Sequence, residues 1–169
     1  ATVSFPFVPT ALANIVLLDL EPAHVTPLPP LSTLAPNYVD EHEVRLLAAT
    51  AWGEARSEGE DGMRAVAHVI VNRVGARFGM TVEDVVRAPW QFSVWNRGDP
   101  NRPLVMNPDR YAVSGANYET WQIAQRIARE VLSGQSTDPT NGALFYHTTE
   151  IRPWWSRYGQ GARTIGTHI

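Results

Sequence analysis

Two stretches of helical hydrophobic spacing meet at residues 52–59, and this junction constrains the fold more than any other part of the chain. The segment reads WGEARSEG. Its two glycines favour a bend in the backbone, and two carboxylates and an arginine lie between them. A glutamate at a helix C-terminus beside a tryptophan is in surroundings that raise a carboxyl pKa. Glu54 is therefore a candidate catalytic acid, with a plain surface charge as the alternative, and Arg56 and Glu58 are candidate supporting residues.

Hydrophobic periodicity and capping residues predict four helices along the chain. They cover residues 41–53, about 59–77, 81–88 and 117–133. Asp40 followed by Glu43 resembles a capping box at the start of the first helix, and Thr81 with Asp84 resembles another at the start of the third. Gly79 is expected to end the second helix, and Gly134 suits the end of the fourth.

The segments outside these helices predict a bound ligand and a small sheet. Residues 89–116 are predicted to be a long irregular segment rich in tryptophan and amide side chains, a composition that suits sugar rings. A turn at 138–142 precedes a predicted strand at 143–147, and residues 164–169 are its predicted partner. The predicted fold class is therefore α+β, mostly helical with a small antiparallel β element.

The chain divides by composition into two parts. Seven of its 13 prolines lie in the first 38 residues, which contain no basic residue. Residues 1–39 are therefore predicted to be a Pro-rich N-terminal arm or linker, with a docking or autoinhibitory arm as the alternative. Residues 40–169 are predicted to form the catalytic domain.

Composition excludes several classes of function. The net charge is −3 and no basic stripe is present, so we expect no nucleic-acid partner. The chain has no cysteine and no lysine, which excludes thiolate nucleophiles and Schiff-base chemistry. Zinc-ligand spacing and a serine nucleophile elbow are also missing, so no metal and no other cofactor is predicted. The apolar runs are too short for an integral membrane segment.

Five motifs in a fixed order resemble one known family. They are WGEARSEG at 52–59, AVAHVIVNRV at 65–74, QFS at 91–93, DPTNGA with FY at 138–146, and IG-x-H at 165–168. Over residues 44–169 the chain is similar to bacterial cell wall hydrolases typified by the catalytic domain of spore cortex-lytic enzymes. The resemblance implies a lysozyme-like fold, related to soluble lytic transglycosylases and goose-type lysozymes.

The resemblance also implies an activity, a substrate and site residues. It implies cleavage of the MurNAc–GlcNAc β-1,4 bond of peptidoglycan, with Glu54 as single acid/base and a 1,6-anhydromuramic product. Gln91, Tyr146, Ser93 and Asn141 match residues that line the family's cleft. Trp95 is a further candidate, as a platform for stacking sugar rings. The partner implied is the glycan strands of peptidoglycan. The protein would act in the periplasm or cell wall, which it would reach by export or by phage delivery, and it would be a monomer.

Other functions stay open at this point. A hydrolytic muramidase would need a second carboxylate such as Glu58 to position water. A peptidoglycan amidase or peptidase would need zinc or a Cys or Ser nucleophile. A non-catalytic glycan-binding module would use its exposed tryptophans, namely Trp90, Trp95, Trp154 and Trp155. A Pro-rich arm stands where the family's spore members carry a wall-binding repeat domain, so a spore, a vegetative and a phage role all remain open.

Overall fold

The computed structural model describes residues 38–150, 153–154 and 164–165. Six α-helices lie in this part of the chain: α1 (Glu41–Ala55), α2 (Gly59–Arg73), α3 (Val82–Arg87), α4 (Arg102–Met106), α5 (Pro108–Tyr111) and α6 (Gly115–Leu132). Short 3-10 helices at Arg56–Glu58 and Ser93–Trp95 complete the described elements. The prediction of a mostly helical domain is confirmed. The predicted arm at 1–39 lies almost entirely outside the described residues, so the division into 1–39 and 40–169 stays a prediction.

Helix α1 is the centre of the described domain. Every residue from 46 to 53 is buried, which is typical of a helix surrounded by other elements. It packs against α2 and α6, and also contacts α3 and α4. Trp52 is fully buried, lies 5.5 Å from the ring of Trp121 on α6, and donates its indole N–H to Thr120 at 2.9 Å. Buried aromatic pairing of this kind fixes α1 against α6.

The starts of α1 and α3 use different capping contacts. Asp40 caps α1 by accepting a hydrogen bond from the backbone N–H of His42 at 2.8 Å. Glu43 does not close the expected box, because its carboxylate accepts from the backbone N–H of Val82 at 3.3 Å. That contact joins α1 to α3. At α3 the predicted capping box between Thr81 and Asp84 is confirmed.

Helix α2 is shorter than the spacing predicts, since it ends at Arg73 and not at residue 77. Val74 already has an extended backbone, and Gly75 adopts a positive φ of 76°. The N–H of Gly75 then donates to the carbonyl of Gly79 at 2.8 Å, which closes a turn. A glycine tolerates this conformation without a steric penalty, so the backbone leaves the helix at this point.

The segment at 89–116 contains more helix than predicted. It holds the 3-10 turn Ser93–Trp95 and both short helices, α4 and α5. Pro103 and Pro108 occupy the first turn of these helices, where the missing N–H costs nothing. Helices of four or five residues leave no periodic signal, so sequence spacing does not reveal them. Helix α6 agrees with its prediction and is followed by Gly134 at a φ of 73°.

The predicted strand at 143–147 is wrong. Residues 143–147 have no regular secondary structure, and no strand occurs among the described residues. The backbone carbonyls of Ala143 and Leu144 accept hydrogen bonds from side chains of Asn72 and Arg73, so helix α2 takes the place of a partner strand. Only isolated bridge residues occur, at Thr148 and Ile165. Most of the predicted partner at 164–169 lies outside the described residues.

Candidate active site

Glu54 lies in the last turn of α1, one residue before the helix ends. Gly53 lets this turn approach the 3-10 helix and α4 closely. A β carbon at position 53 would lie 2.5 Å from Val105 and 2.9 Å from Val94, nearer than real β carbons approach. Since Trp52 enters the core, Glu54, two positions on, projects from roughly the opposite face of the helix. The tryptophan therefore anchors the helix, and other groups surround the carboxylate.

Three hydrogen-bond donors converge on the Glu54 carboxylate. Its Oε1 accepts from the backbone N–H of Val94 at 3.2 Å and from the Ser93 hydroxyl at 3.4 Å. Its Oε2 accepts from the Tyr146 hydroxyl at 3.2 Å. These donors come from segments 39 to 92 residues away in sequence, so tertiary folding assembles the site.

The pKa of the Glu54 carboxyl is raised. Burial is the largest cause, because it disfavours the charged form, and the negative charge of Asp99 acts in the same direction. The hydrogen bonds from Val94, Tyr146 and Ser93 favour the carboxylate and offset part of this rise. The pKa shift has the direction that the sequence predicts, but its largest cause is burial and not the helix end or Trp52. Such a carboxyl can give up a proton and then be stabilised as an anion by donors already in place.

The segment that supplies Ser93 and Val94 is anchored in the core. Phe92 and Val94 are almost fully buried, whereas Ser93 between them is exposed. The 3-10 turn Ser93–Trp95 directs the backbone N–H of Val94 toward Glu54, and the Val94 side chain packs beside Gly53. Burial of both neighbours therefore fixes the two donors relative to α1.

Tyr146 reaches Glu54 from the irregular segment after the 138–142 turn. Burial, together with the adjacent Glu54 charge, raises the pKa of the phenol well above its ordinary value. The hydroxyl is therefore neutral and a hydrogen-bond donor at and around neutral pH. Asn72 donates to the carbonyl of Ala143 at 3.2 Å, and Arg73 donates to that of Leu144 at 2.7 Å, so the end of α2 holds this segment.

The turn before Tyr146 is built on Asp138. Its carboxylate accepts from the Thr140 N–H and hydroxyl at 2.7 and 2.6 Å, from the Gly142 N–H at 2.8 Å, and from Asn72 at 3.0 Å. Burial raises the pKa of Asp138, but these hydrogen bonds outweigh it and lower the pKa to about 2. The predicted turn is confirmed. The Asp138 carboxylate fixes its backbone and joins it to α2, just before the segment that carries Tyr146.

Arg56 and Glu58 lie in the 3-10 turn that follows α1. Arg56 donates to the carbonyl of Gly53 at 3.3 Å and to the Asn101 side chain at 2.8 Å, and its guanidinium lies 5.5 Å from the Trp52 ring. These contacts close the end of α1 beside Glu54. Glu58 is partly buried and packs against Gly62, where an added β carbon would lie 2.2 Å from the Glu58 β carbon.

The remaining predicted binding residues are placed differently. Gln91 accepts from Arg73 at 3.2 Å and begins the segment that carries Ser93. Asn141 is exposed in the turn with a φ of 55°. Trp95 is partly buried: its indole N–H donates to Thr50 at 3.0 Å, and the Arg87 guanidinium lies 4.9 Å from its ring. The structure thus brings Glu54, Ser93 and Tyr146 together and joins Gln91 to them through Arg73.

Besides Val94, whose backbone N–H donates to Glu54, three residues of the site neighbourhood were missed by the sequence prediction. Asn72 and Arg73 hold the Tyr146 segment, and the Asp99 charge acts on Glu54. The only sequence signal for the first two is their place in the helix motif AVAHVIVNRV, where polar residues end an apolar face. Asp99 follows a glycine in an aromatic-rich loop and carries no signal of its own.

Three further observations concern metal ligands, membrane-spanning helices and exposed tryptophans. Within 38–150 and the four later described residues, no group of three histidine or acidic side chains is arranged to hold a metal ion. No described helix has the length and apolar character needed to cross a bilayer. Of the tryptophans proposed as sugar platforms, Trp90 and Trp154 are 84% and 74% exposed, whereas Trp155 lies outside the described residues.

The chain is similar to curated spore cortex-lytic enzymes. It is 32% identical to that of Halalkalibacterium halodurans over 142 residues, which are 82% of this chain and 37% of the relative. It is 30% identical to that of Bacillus subtilis over 138 residues, 79% of this chain and 39% of the relative. The chain therefore spans less than half the length of these relatives.

Two solved structures match the fold. One is the catalytic domain of the germination-specific lytic transglycosylase SleB from Bacillus anthracis, with a TM-score of 0.56, 27% identity, and coverage of 80% of this chain and 98% of that one. The other is the Bacillus cereus SleB catalytic domain, with a TM-score of 0.57, 28% identity, and coverage of 81% and 94%. The model of the Cell Wall Hydrolase family matches residues 57–169, two thirds of the sequence. The chain belongs to the Cell Wall Hydrolase family.

Proposed function

We propose that this chain cleaves the MurNAc–GlcNAc β-1,4 bond of peptidoglycan as a lytic transglycosylase, with Glu54 as its single acid/base. The observation that carries the proposal is the Glu54 carboxyl itself. Its pKa is raised by burial, and three donors stand ready to stabilise the anion. An acid that must first give and then take back one proton requires this combination.

The reaction begins with protonated Glu54. Its carboxyl donates the proton to the glycosidic oxygen as the bond from that oxygen to C1 breaks, and the sugar ring takes on oxocarbenium character. The GlcNAc leaving group departs with a new hydroxyl. The Glu54 anion is then stabilised by the Val94 N–H and by the Tyr146 and Ser93 hydroxyls.

The second step returns the proton. The Glu54 carboxylate removes the proton of the muramic C6 hydroxyl, and that oxygen bonds to C1 to close the 1,6-anhydro ring. No water is consumed, and the carboxyl ends in its starting state. The route requires no second catalytic carboxylate, and within the described residues the hydrogen bonds to Glu54 come from an amide and two hydroxyls.

The relatives support the substrate class. Both matched structures are catalytic domains, and one is described as a germination-specific lytic transglycosylase. The curated relatives are spore cortex-lytic enzymes. We extend to this chain a peptidoglycan substrate, action in the periplasm or cell wall after export or phage delivery, a monomeric state and no cofactor. The proposed supporting residues are Arg56 and Glu58. The proposed substrate-binding residues remain Gln91, Ser93, Tyr146, Asn141 and Trp95.

Product analysis tests the proposal. Purified peptidoglycan is digested, the muropeptides are treated with borohydride, and their masses are measured. Anhydro ends lack one water and resist reduction, whereas hydrolysis leaves reducing ends that gain two hydrogens. We expect anhydro ends. Reducible ends would contradict transglycosylation and would make Glu58 the residue to test as the base that positions water.

The role of Glu54 is tested by Glu54→Gln. Glutamine keeps the shape but cannot donate or accept the proton in question, so we expect the release of muropeptides to fall by about 10²–10⁴-fold. Glu119→Gln, on an exposed part of α6, is the matched control and should keep wild-type activity. Wild-type activity in Glu54→Gln would refute the assignment. Binding of wild-type protein to sacculi without release of fragments would instead favour a glycan-binding module.

A further inference from the structure

Arg73 is a buried cation at the last residue of α2. Only 5% of its surface is exposed. Its guanidinium carbon lies 4.9, 5.1 and 5.6 Å from the ring centroids of Phe78, Phe92 and Phe145. No carboxylate of the described residues lies within ion-pair distance of it. A buried charge without an ionic partner is costly to a fold, so its presence calls for an explanation beyond stability.

The guanidinium joins two segments that lie far apart in sequence. Its Nε donates to the carbonyl of Leu144 at 2.7 Å, and its Nη1 donates to the side-chain oxygen of Gln91 at 3.2 Å. Arginine only donates hydrogen bonds, so it also fixes which end of the Gln91 amide faces it. The oxygen points to Arg73, and the NH₂ group is turned away.

Both anchor points lie two residues from a donor to Glu54. Leu144 precedes Tyr146, and Gln91 precedes Ser93 and the Val94 N–H. The stacked ring of Phe92 lies inside one of these segments, and Phe145 lies inside the other. The Arg73 side chain thus contacts both segments that supply hydrogen bonds to Glu54. These segments, residues 91–94 and 144–146, form two walls of the site.

We propose that Arg73 is a positioning residue that sets the distance between the two walls of the Glu54 site. This inference rests on the proposed function only for its activity readout. Arg73 acts through Tyr146 and the 91–94 segment. The planar guanidinium group is essential to this role, because a lysine ammonium can neither bridge two acceptors in one plane nor stack on three rings in the same way.

Arg73→Lys tests the proposal with a matched control. The variant keeps the positive charge but loses the planar guanidinium group. We expect kcat on peptidoglycan to fall by about tenfold or more, because small displacements of catalytic groups cost large factors in rate. Arg77→Lys is the control. The Arg77 guanidinium also lies over Phe78 and Phe145, at 5.2 and 5.8 Å, but no described hydrogen bond joins it to either wall. Its kcat should stay within about twofold of wild type.

A double-mutant cycle with Tyr146→Phe separates positioning from a general loss of structure. Since Arg73 acts in part through the Tyr146 hydroxyl, Arg73→Lys should reduce kcat by a smaller factor in the Tyr146→Phe background than in the wild type. If the two substitutions reduce kcat by independent factors, the proposal is overturned. Circular dichroism and thermal unfolding confirm that each variant is folded before its kcat is compared.

Titration of the Glu54 carboxyl by NMR needs no catalysis. Displacing either wall weakens hydrogen bonds that lower the Glu54 pKa and changes the burial that raises it, so the pKa should shift from its wild-type value. We expect a shifted Glu54 pKa in Arg73→Lys and an unchanged one in Arg77→Lys. If Arg73→Lys does not fold, Gln91→Leu removes the hydrogen bond between Arg73 and residue 91 at a partly exposed position and should shift the same pKa. An unchanged Glu54 pKa would overturn the inference, whereas a wild-type protein that cleaves no peptidoglycan would contradict the proposed function alone.

Discussion

Two opposing effects act on the pKa of the Glu54 carboxyl. Burial raises its pKa, and three hydrogen bonds lower it again in part. The sequence is enough to nominate this glutamate, because it lies at a helix end in a motif that resembles a known family. The sequence is not enough to show the donors or Arg73, because their contacts cross 18 to 92 residues and depend on where separate segments meet.

The same balance predicts that Glu54 destabilises the fold at neutral pH. Its folded-state pKa lies above the ordinary value of 4.5, so the protonated form is favoured in the folded state. As pH rises from 4.5 through the folded-state pKa, stability is lost, and the loss is complete above that pKa. Glu54→Gln removes the charge, and we therefore expect a higher Tm at pH 7 than that of the wild type.

Thermal unfolding at two pH values measures this effect. At pH 7 the variant should melt above the wild type, and at pH 4 the difference should shrink, since the carboxyl is then largely protonated in both states. Glu119→Gln at the same two values controls for a general loss of negative charge. A Glu54→Gln variant that melts below the wild type at pH 7 would show that hydrogen bonds to the anion outweigh its burial.

At the scale of elements, close approach of α1 to its neighbours decides the geometry of the site. The long helices α1 and α6 were predictable within two residues at each end. The end of α2 was not, because it depends on the turn that Gly75 closes with Gly79. The segment 143–147 was not, because side chains of α2 satisfy its backbone carbonyls. Local patterns cannot show that Asn72 and Arg73 replace a partner strand.

Gly53→Ala tests the close approach. The added methyl would meet Val105 and Val94 at 2.5 and 2.9 Å, so α4 and the 3-10 turn must move away from α1. We expect a loss of about 1–3 kcal/mol in the free energy of unfolding, as in other overpacked cores. Activity should fall as well, because the Val94 N–H moves with its side chain away from Glu54.

Urea unfolding and kcat on peptidoglycan measure the two effects. Val105→Ala removes the methyl groups nearest to the added β carbon. The double variant with Gly53→Ala should therefore recover part of the stability lost by Gly53→Ala alone. Recovery of stability without activity would place the damage at Val94. A Gly53→Ala protein with wild-type stability and wild-type kcat would show that the packing at this point is looser than the structure indicates.

At the scale of the whole described domain, a polar network ties α2 to the segment after α6. Asp138 lies at its centre, contacts Asn72 on α2, and lies 3.8 Å from the ring of the buried His68. Burial lowers the pKa of His68, and the Asp138 charge opposes this in part. His68 therefore favours the fold fully above its ordinary pKa of 6.5, and this contribution is lost as pH falls below that value.

Asp138 adds a second acid-sensitive contribution to stability. Its folded-state pKa of about 2 lies below the ordinary 3.8, so the carboxylate stabilises the fold above pH 3.8, by about 1–2 kcal/mol once solvent screening of this partly exposed group is allowed for. This contribution is lost as pH falls from 3.8 toward 2. Asp138→Asn should therefore lower the free energy of unfolding by about that amount at pH 7, because it removes the charge that accepts four hydrogen bonds.

Urea unfolding at pH 7 and at pH 2–4 tests this prediction. The gap between Asp138→Asn and the wild type should be largest at neutral pH and should narrow as the wild-type carboxyl becomes protonated. Asp61→Asn, at an exposed position in the first turn of α2, is the matched control and should change stability by less than about 0.5 kcal/mol. A gap that is absent at pH 7, or that stays constant down to pH 2, would mean that the turn is held by its backbone and not by the Asp138 charge. Asn72 and Arg73 would then remain as contacts that hold the Tyr146 segment beside Glu54.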